Sequence, residues 1–318
     1  MKISAREQSW NLSIFMLVIG LGIWQAQQLP AFGSYELRTI LLGIIPLALL
    51  AMGQSIIIIG GGINLAIGAE AVLINILTAK YGEGVSFTKA LVLALTGLIV
   101  AIAIGALTGW IISTSKIADI VVTLATSFVL VGLALFIQSG PGGSTNKEFS
   151  ELFTGPGQNF LAPLLVLVLP LILIWWPLYR SHSGISFYAI GSNKEAAFLS
   201  GVNVSRARIK LYATGGLFAG LSGIAMTGIT LSASPFASIS NAATLNSVAA
   251  AVLGGVSLAG GVGGLVGPAL ATLVLYYIPT ILLGYGIDPA YSQIIQGVLT
   301  VVVVLIGGLL RRKKSSVR

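Results

Sequence analysis

Apolar runs of roughly 20 residues, the length a helix needs to cross a bilayer, recur along this whole chain and leave no stretch for a sizeable soluble domain. Of its 318 residues 56% are hydrophobic and only 8% are charged, with a mean hydropathy of +0.98. The expected fold is therefore an all-α polytopic membrane protein, a single transmembrane domain over 1–318. Hydropathy and turn signals place about ten spans, near 11–28, 39–59, 62–80, 89–112, 118–138, 160–179, 210–231, 241–259, 264–283 and 291–310. The first run, Leu12 to Trp24, is followed by Gln25, Gln27, Gln28 and Pro30 rather than by a small-residue cleavage site, and reads as a retained span.

An even number of spans puts both termini on one side. Loops on that side carry Lys2, Arg6, Lys116, Arg180, Lys194, Arg206, Arg208, Lys210, Arg311, Arg312, Lys313, Lys314 and Arg318, against Arg38, Lys80, Lys89 and Lys147 on the other. Basic excess marks the cytoplasm, so both termini and the loop 180–210 are expected inside a bacterial inner membrane. The formal charge of +8 is explained by this topology and gives no reason to invoke nucleic acid. Between the halves, roughly 1–140 and 160–310, the outer loop 139–159 holds GPGGS and GPG without a strong period and is expected to be irregular.

Glycine supplies 40 residues. Gly97, Ala101, Gly105 and Gly109 form one stripe at four-residue spacing, and Gly263, Gly267 and Ala271 another; small residues so placed let helices approach closely where lipid gives no hydrophobic drive. Two glycine-rich segments, GGGINLAIG at 60–68 and GGVSLAGGVGG at 254–264, break the helical pattern in mid-membrane, which is tolerated only where backbone is buried in protein or lines a wet cavity. Setting Gly61 to Ala66 on Gly254 to Ala259 gives a parallel internal repeat. Setting Gly62 to Leu65 on Gly228 to Leu231 gives an inverted one, with five spans in each half, and this version is slightly preferred; transporters use both.

The chain holds no G-x-x-x-x-G-K-[ST] sequence, so it is not itself a P-loop ATPase. It has no cysteine, and its one histidine, His182, reads as a solvated loop residue without a ligand or base partner. No serine has a histidine base nearby within a span, which argues against an embedded hydrolase. Glu70 is the clearest intramembrane charge, a functional candidate by default, although its span places it near the cytoplasmic interface, where a carboxylate is cheap. Asp119 reads as a helix-start cap or a local pair with Lys116. The remaining interior polar groups are neutral: Gln54, Asn64, Asn75, Thr123, Thr126, Gln138, Thr230, Asn246 and Ser257. Such groups either bond helix to helix or exchange hydrogen bonds with a hydroxylated solute. Gln54, Asn64, Asn75, Thr123, Thr126, Asn246 and Ser257 are the candidate path residues, with Asn64 and Asn246 foremost because they flank the breaks.

One soluble-looking helix stands out. In SNKEAAFLSG, from Ser192 to Gly201, Ser192 and Glu195 have the spacing of a capping box and Gly201 sits where a C-terminal cap is wanted. About two turns long, it is too short to be stable alone, and it reads as a docking surface for a cytoplasmic protein.

Together YAIGSNKEAAFLSGVNVSRARIK, TLNSVAAAVLGGVSLAGG, GGGINLAIG and KIADIVVTLAT resemble the membrane permeases of bacterial ATP-driven sugar importers of the ribose, xylose, arabinose and galactose type, over nearly the whole chain. The resemblance implies a core of two permeases, either two copies or a copy and a paralogue, with an ATPase that binds ATP and Mg docked on the cytoplasmic side. It also implies a periplasmic or extracellular solute-binding protein, and no cofactor in this chain. It makes Glu195, Ala196, Ala197 and Gly201, with Asn193 ahead of them, the coupling element. The family usually has aspartates where this chain has Asn64 and Asn246, so the path has lost two anionic acceptors. The implied cargo is a monosaccharide or similar neutral hydroxylated solute. Related permeases for nucleosides or branched-chain amino acids, and a stand-alone ion-coupled carrier, are the rival readings, weakened by the scarcity of ionisable groups along the path.

Overall fold

A computed structural model describes residues 5–28, 32–115, 117–157, 159–288, 291, 294, 295, 297 and 298. Among them the chain is helical: α1 (Ala5–Gln28), α2 (Ser34–Ile59), α3 (Ile67–Lys80), α4 (Phe87–Ser115), α5 (Asp119–Ile137), α6 (Lys147–Thr154), α7 (Leu161–Pro170), a π-helical turn (Leu171–Trp175), α8 (Trp176–Arg180), α9 (His182–Ser192), α10 (Lys194–Leu199), α11 (Val204–Thr230), α12 (Ala237–Leu253) and α13 (Val266–Gly284). The π turn lies between Pro170 and Pro177, whose missing N–H groups release carbonyls from the ordinary ladder.

Among the described residues seven helices are long and apolar enough to cross a membrane, counting 161–180 as one. The sequence-expected spans 62–80 and 241–259 are shorter helices here, because each adjoins a break. The 14 residues of α3 reach roughly 21 Å and the 17 of α12 roughly 25 Å, short of the ~30 Å hydrocarbon layer. Span 291–310 lies, but for a few residues near its start, outside the described residues, as do Lys2, Lys116 and the basic tail 311–314.

The centre of the bundle is α2 and α11. From Ala48 to Ile59 every residue of α2 is buried, as expected of a helix apolar all round. α11 lies against α2, α3 and α4, so helices from both halves of the sequence share one core. The stripe expected on α4 is what lets α11 in: a Cβ on Gly105 would stand 2.3 Å from the Tyr212 carbonyl, and one on Gly216 2.3 Å from that of Ala101. Polar groups then fasten the helices. Asn75 Nδ2 donates to Thr227 Oγ1 at 2.9 Å, and Thr78 and Thr227 hydroxyls meet at 2.6 Å. In the second expected stripe Gly267 and Ala271 lie on α13, but Gly263 falls in the loop before it.

The outer loop 139–159 is not irregular throughout. Asn146 caps α6, its Oδ1 accepting from the Glu148 amide at 2.9 Å, and Phe149 and Phe153 pack toward the end of α11, where Ser150 Oγ donates to the Gly228 carbonyl at 2.5 Å. The bundle thus has an α6 end and, at the start of α11, an α10 end.

Both breaks are present; each starts at the α10 end, and the first runs on into the bundle, where Ile67 meets Gly53 and the Gly68 amide donates to Thr244 Oγ1 at 3.1 Å. They solve the same problem in the same way. The last four carbonyls of an α-helix lack helical partners. In α2, Ile56, Ile57 and Ile58 accept from the Gly60, Gly62 and Gly61 amides at 2.9–3.1 Å, and in α12 Ala250, Ala251 and Val252 accept from Gly254, Val256 and Gly255 at 2.8–3.0 Å. Gly61 (φ 80) and Gly255 (φ 90) hold the left-handed position that closes each turn. The two turns therefore correspond as Gly60 on Gly254, one residue away from the match that residue identity suggested. The fourth carbonyls need help from afar: Ile59 accepts from the Gly261 amide at 2.8 Å and Leu253 from the Trp10 indole at 3.0 Å.

If the α4–α11 contact sets the packing, Gly216→Val should destabilise the protein by about 1–3 kcal/mol, the usual cost of overpacking. Gly132→Val on α5, where an added Cβ meets nothing within 4 Å, should not. Thermal unfolding in detergent, followed by monodispersity, would show the difference; equal midpoints would refute it.

Candidate functional site

The residues that matter converge where the breaks meet α9. Gly191, in the last turn of α9, is wedged between them: a Cβ there would stand 1.9 Å from the Ile59 carbonyl oxygen and 2.8 Å from the Gly261 nitrogen. On the other side of this contact, a Cβ on Gly260 would lie 2.5 Å from the Gly191 oxygen and one on Gly261 2.2 Å from Ser192 Oγ. Backbone touches backbone at three chain crossings, and the Gly261 to Ile59 hydrogen bond runs through the middle. Tyr188 anchors the same turn of α9, its Oη donating to the Gly263 carbonyl at 2.5 Å.

The next residues form α10. Its N-cap is Asn193, whose Oδ1 accepts from the Ala196 amide at 2.9 Å. The expected Ser192–Glu195 capping box is absent, because Ser192 is still the last residue of α9 and packs on Gly261, leaving Asn193 as the first residue with extended backbone. The C-terminal expectation holds. Gly201 (φ 84) donates to the Phe198 carbonyl and Val202 to that of Ala197, both at 3.0 Å, the paired bonds of a Schellman cap. Ala197 alone turns inward; Glu195 and Ala196 are exposed, as are Phe198 (68%) and Leu199 (84%). Two large apolar side chains thus stand exposed side by side on a capped, six-residue helix.

Beneath α10 lies a cavity of about 610 Å³ lined in part by Lys194, Phe198, Asn203, Asp119 and Arg208. Asp119 does not depend on Lys116 for a partner: its Oδ1 accepts from Arg208 Nη1 at 3.3 Å and its Oδ2 from Tyr212 Oη at 2.9 Å. Gly62 fits under this cluster, since a Cβ there would come within 2.6 Å of Tyr212 Oη. The start of α5, the start of α11 and the first break are thus tied together next to α10, and only the order of helices in space, not residue spacing, could have revealed it.

The expected path residues separate. Asn64 is buried in the first break, its Oδ1 accepting from the Ala66 amide at 2.8 Å and its Nδ2 donating to Glu70 Oε1 at 3.4 Å. Thr123 reaches the neighbouring Ile63 carbonyl at 3.3 Å. Glu70 is not interfacial but fully buried, because the break carries the chain back into the bundle before α3 begins, and its Oε2 has no partner among the described residues. Gln54 is equally buried, and neither of its amide atoms has a partner among the described residues. Ser257 is buried in the second break, its Oγ accepting from the Ala259 amide at 3.3 Å. Asn75 is occupied with Thr227, Gln138 binds three loop carbonyls at the α6 end, and Thr126 and Thr230 bond back to their own helices. Asn246 stands apart on α12, half-buried. His182 is exposed at the start of α9.

Comparison with known proteins follows this geometry. The family described as branched-chain amino acid transport system, permease component, matches residues 37–304. The ribose import permease protein of Bacillus subtilis (strain 168) is 33% identical over 309 residues, covering 96% of this chain and 92% of that protein. The fructose import permease protein of Rhizobium meliloti is 30% identical, covering 88% and 80%, and the galactose/methyl galactoside import permease protein of Haemophilus influenzae 27% identical, covering 96% of each. No solved structure matches the chain. With its broken helices, glycine junction and capped α10, this chain belongs to the family of transport-system permease components.

Proposed function

We propose that this chain is the membrane-spanning subunit of an ATP-binding-cassette importer, moving a monosaccharide or similarly neutral hydroxylated solute by alternating access. The observation that carries the proposal is the near full-length similarity to a protein named as a ribose import permease. Further support comes from α10, an apolar docking surface set on the junction of both broken segments. In this reading α10 faces the cytoplasm and receives an ATPase through Phe198, Leu199 and Glu195. A solute-binding protein delivers cargo at the α6 end, and a second permease, a copy or a paralogue, completes the core. The full arrangement has ten spans with both termini cytoplasmic in the bacterial inner membrane. Its five-plus-five inverted repeat stands beside the parallel correspondence of the two breaks. Asn246 stays on the solute path; Gln54, Asn64, Thr123 and Ser257 are buried in the state described and meet solute only in a state where the core opens around the breaks, whereas Asn75 and Thr126 are reassigned to helix packing.

The ATPase supplies the free energy by interacting differently with the two states of the permease. Movement of α10 reaches Gly191 two residues before its N-cap, and from there both breaks at once. The geometry makes the junction stiff, since neither neighbour can yield without losing the Ile59–Gly261 bond.

Three outcomes are expected. In proteoliposomes holding ATPase, permease and binding protein, Glu195→Lys should lower uptake at least about tenfold, within the usual range of coupling energies, while ATP hydrolysis persists; wild-type uptake would refute docking through α10. Gly191→Ala should likewise depress uptake while the ATPase still co-purifies, because the added methyl must push Ile59 and Gly261 apart; unaltered transport would show that the junction transmits nothing. The permease alone, given a proton or sodium gradient, should accumulate no sugar, and gradient-driven uptake would establish the ion-coupled carrier instead.

A further inference from the structure

The inner face of α12 is polar and satisfied: Thr244 Oγ1 accepts from the Gly68 amide at 3.1 Å and donates to the Ser240 carbonyl at 2.9 Å, and Ser247 Oγ donates to the Thr244 carbonyl at 2.7 Å. The opposite face is polar and unsatisfied. Ser238, Asn241, Ala242, Leu245 and Asn246 recur at the spacing of one helical face; the first four are exposed and Asn246 is half-buried. Neither the Asn241 nor the Asn246 side chain has a hydrogen bond among the described residues, although their helix packs against α2, α3 and α13. Before it, Ala233 pairs with Gly142 at the α6 end; after it, the second break meets α9.

The outward face of α5 does not look like this. Every exposed side chain of α5 is apolar, among them Leu124, Phe128, Leu133 and Phe136, as befits a surface against hydrocarbon or a dry interface. Unpaired amides there would lose several hydrogen bonds with water and regain none. A face with two free amides, a free hydroxyl and no ionisable side chain anywhere on its helix is suited to water and to a molecule whose hydroxyls both donate and accept, and it offers nothing to a charged one.

We infer, resting on the importer reading, that the Ser238–Asn241–Asn246 face of α12 lines the solute conduit, with a second permease copy closing its other side. The amides exchange hydrogen bonds with the hydroxyls of a passing neutral monosaccharide, and Leu245 between them keeps the contact weak enough for release.

The chain has no cysteine, so a single introduced cysteine is its only thiol, and the importer without one, treated alike, gives the background from the other subunits. Asn241→Cys, Asn246→Cys and Ser238→Cys, with Phe128→Cys as the apolar control, would be placed in the complete importer in proteoliposomes and exposed to a charged, membrane-impermeant thiol reagent. At least two of the three α12 positions should react about tenfold or more faster than the control, since only a hydrated thiol forms the reactive thiolate. Reaction should also lower uptake, and added monosaccharide should slow it. Reaction no faster than at Phe128→Cys at all three positions would overturn the assignment, as would fast reaction that leaves uptake untouched. Failure of the parent importer to take up any monosaccharide would sink the importer reading by itself, while the reactivities still report whether the face is wet.

Discussion

A helix that stops inside a membrane protein leaves four carbonyls to be satisfied, and each one buried without a partner costs about 1–3 kcal/mol. Here two helices stop at the same end of the bundle, and in each a tight glycine turn covers three of the four. The fourth sets the tertiary structure. Ile59 can be satisfied only if the second break comes alongside, and Leu253 only if α1 brings Trp10 to it. The close contact that the first bond demands leaves no room for a side chain on the third element present, and Gly191 is the result. Residue choice at Gly60, Gly61, Gly255, Gly260, Gly261 and Gly191 thus follows from one accounting requirement of backbone chemistry in a solvent that offers no hydrogen bonds.

That requirement also gives a short helix its leverage. α10 is too short to hold itself in water, and it is held by its caps and by its attachment to Gly191 and Ser192. An attachment at a crossing of three backbones means that a push on α10 is little absorbed by side-chain rotation, since the contact of Gly191 with Ile59 and Gly261 is made by backbone. On the other flank the Asp119–Arg208–Tyr212 cluster ties α5 and α11 to Gly62, so the first break is gripped from two directions. The motion open to it is a shift as a unit, the kind of discrete rearrangement on which alternating access depends.

How much of this was legible without coordinates can be traced residue by residue. The breaks were visible because nothing else places three glycines before INLA in a span. Their register was not: GGG at 60–62 against GG at 254–255 lets identity slide by one, and only the hydrogen-bonded turn fixes Gly60 on Gly254. The stripe on α4 was read correctly because a four-residue spacing has one structural meaning on a helix, whereas Gly263 broke its stripe because the helix it was assigned to begins three residues later. Ser192 failed as a cap because a neighbouring Asn193 can cap equally well and tertiary packing chose between them. Glu70 was misplaced in depth because hydropathy reads 62–80 as one helix, whereas irregular backbone carries the chain inward before α3 begins at Ile67. The eight residues of α6 were overlooked since glycine and proline on both sides dominate the local signal, although Asn146 and the Phe149–Phe153 pair were there to be read.

Residue type alone does not separate glue from pathway among the neutral polar groups; hydrogen-bond satisfaction does. Asn75 and Thr227 or Gln138 and its three carbonyls are complete sets, and a solute approaching them would have to break bonds already made. Asn241 and Asn246 have nothing to break. Gln54 and the second oxygen of Glu70 are also incomplete, but they are sealed inside the chain, where bonding to a solute would first require the core to open. An incomplete polar group that is also exposed at membrane depth is the one kind that costs free energy until something hydroxylated arrives and costs less when it does. On this protein that description fits the outward face of α12, a helix that also ends on the junction of the two breaks with α9, so under the proposed function the surface that holds the solute is joined by backbone to the element that moves it.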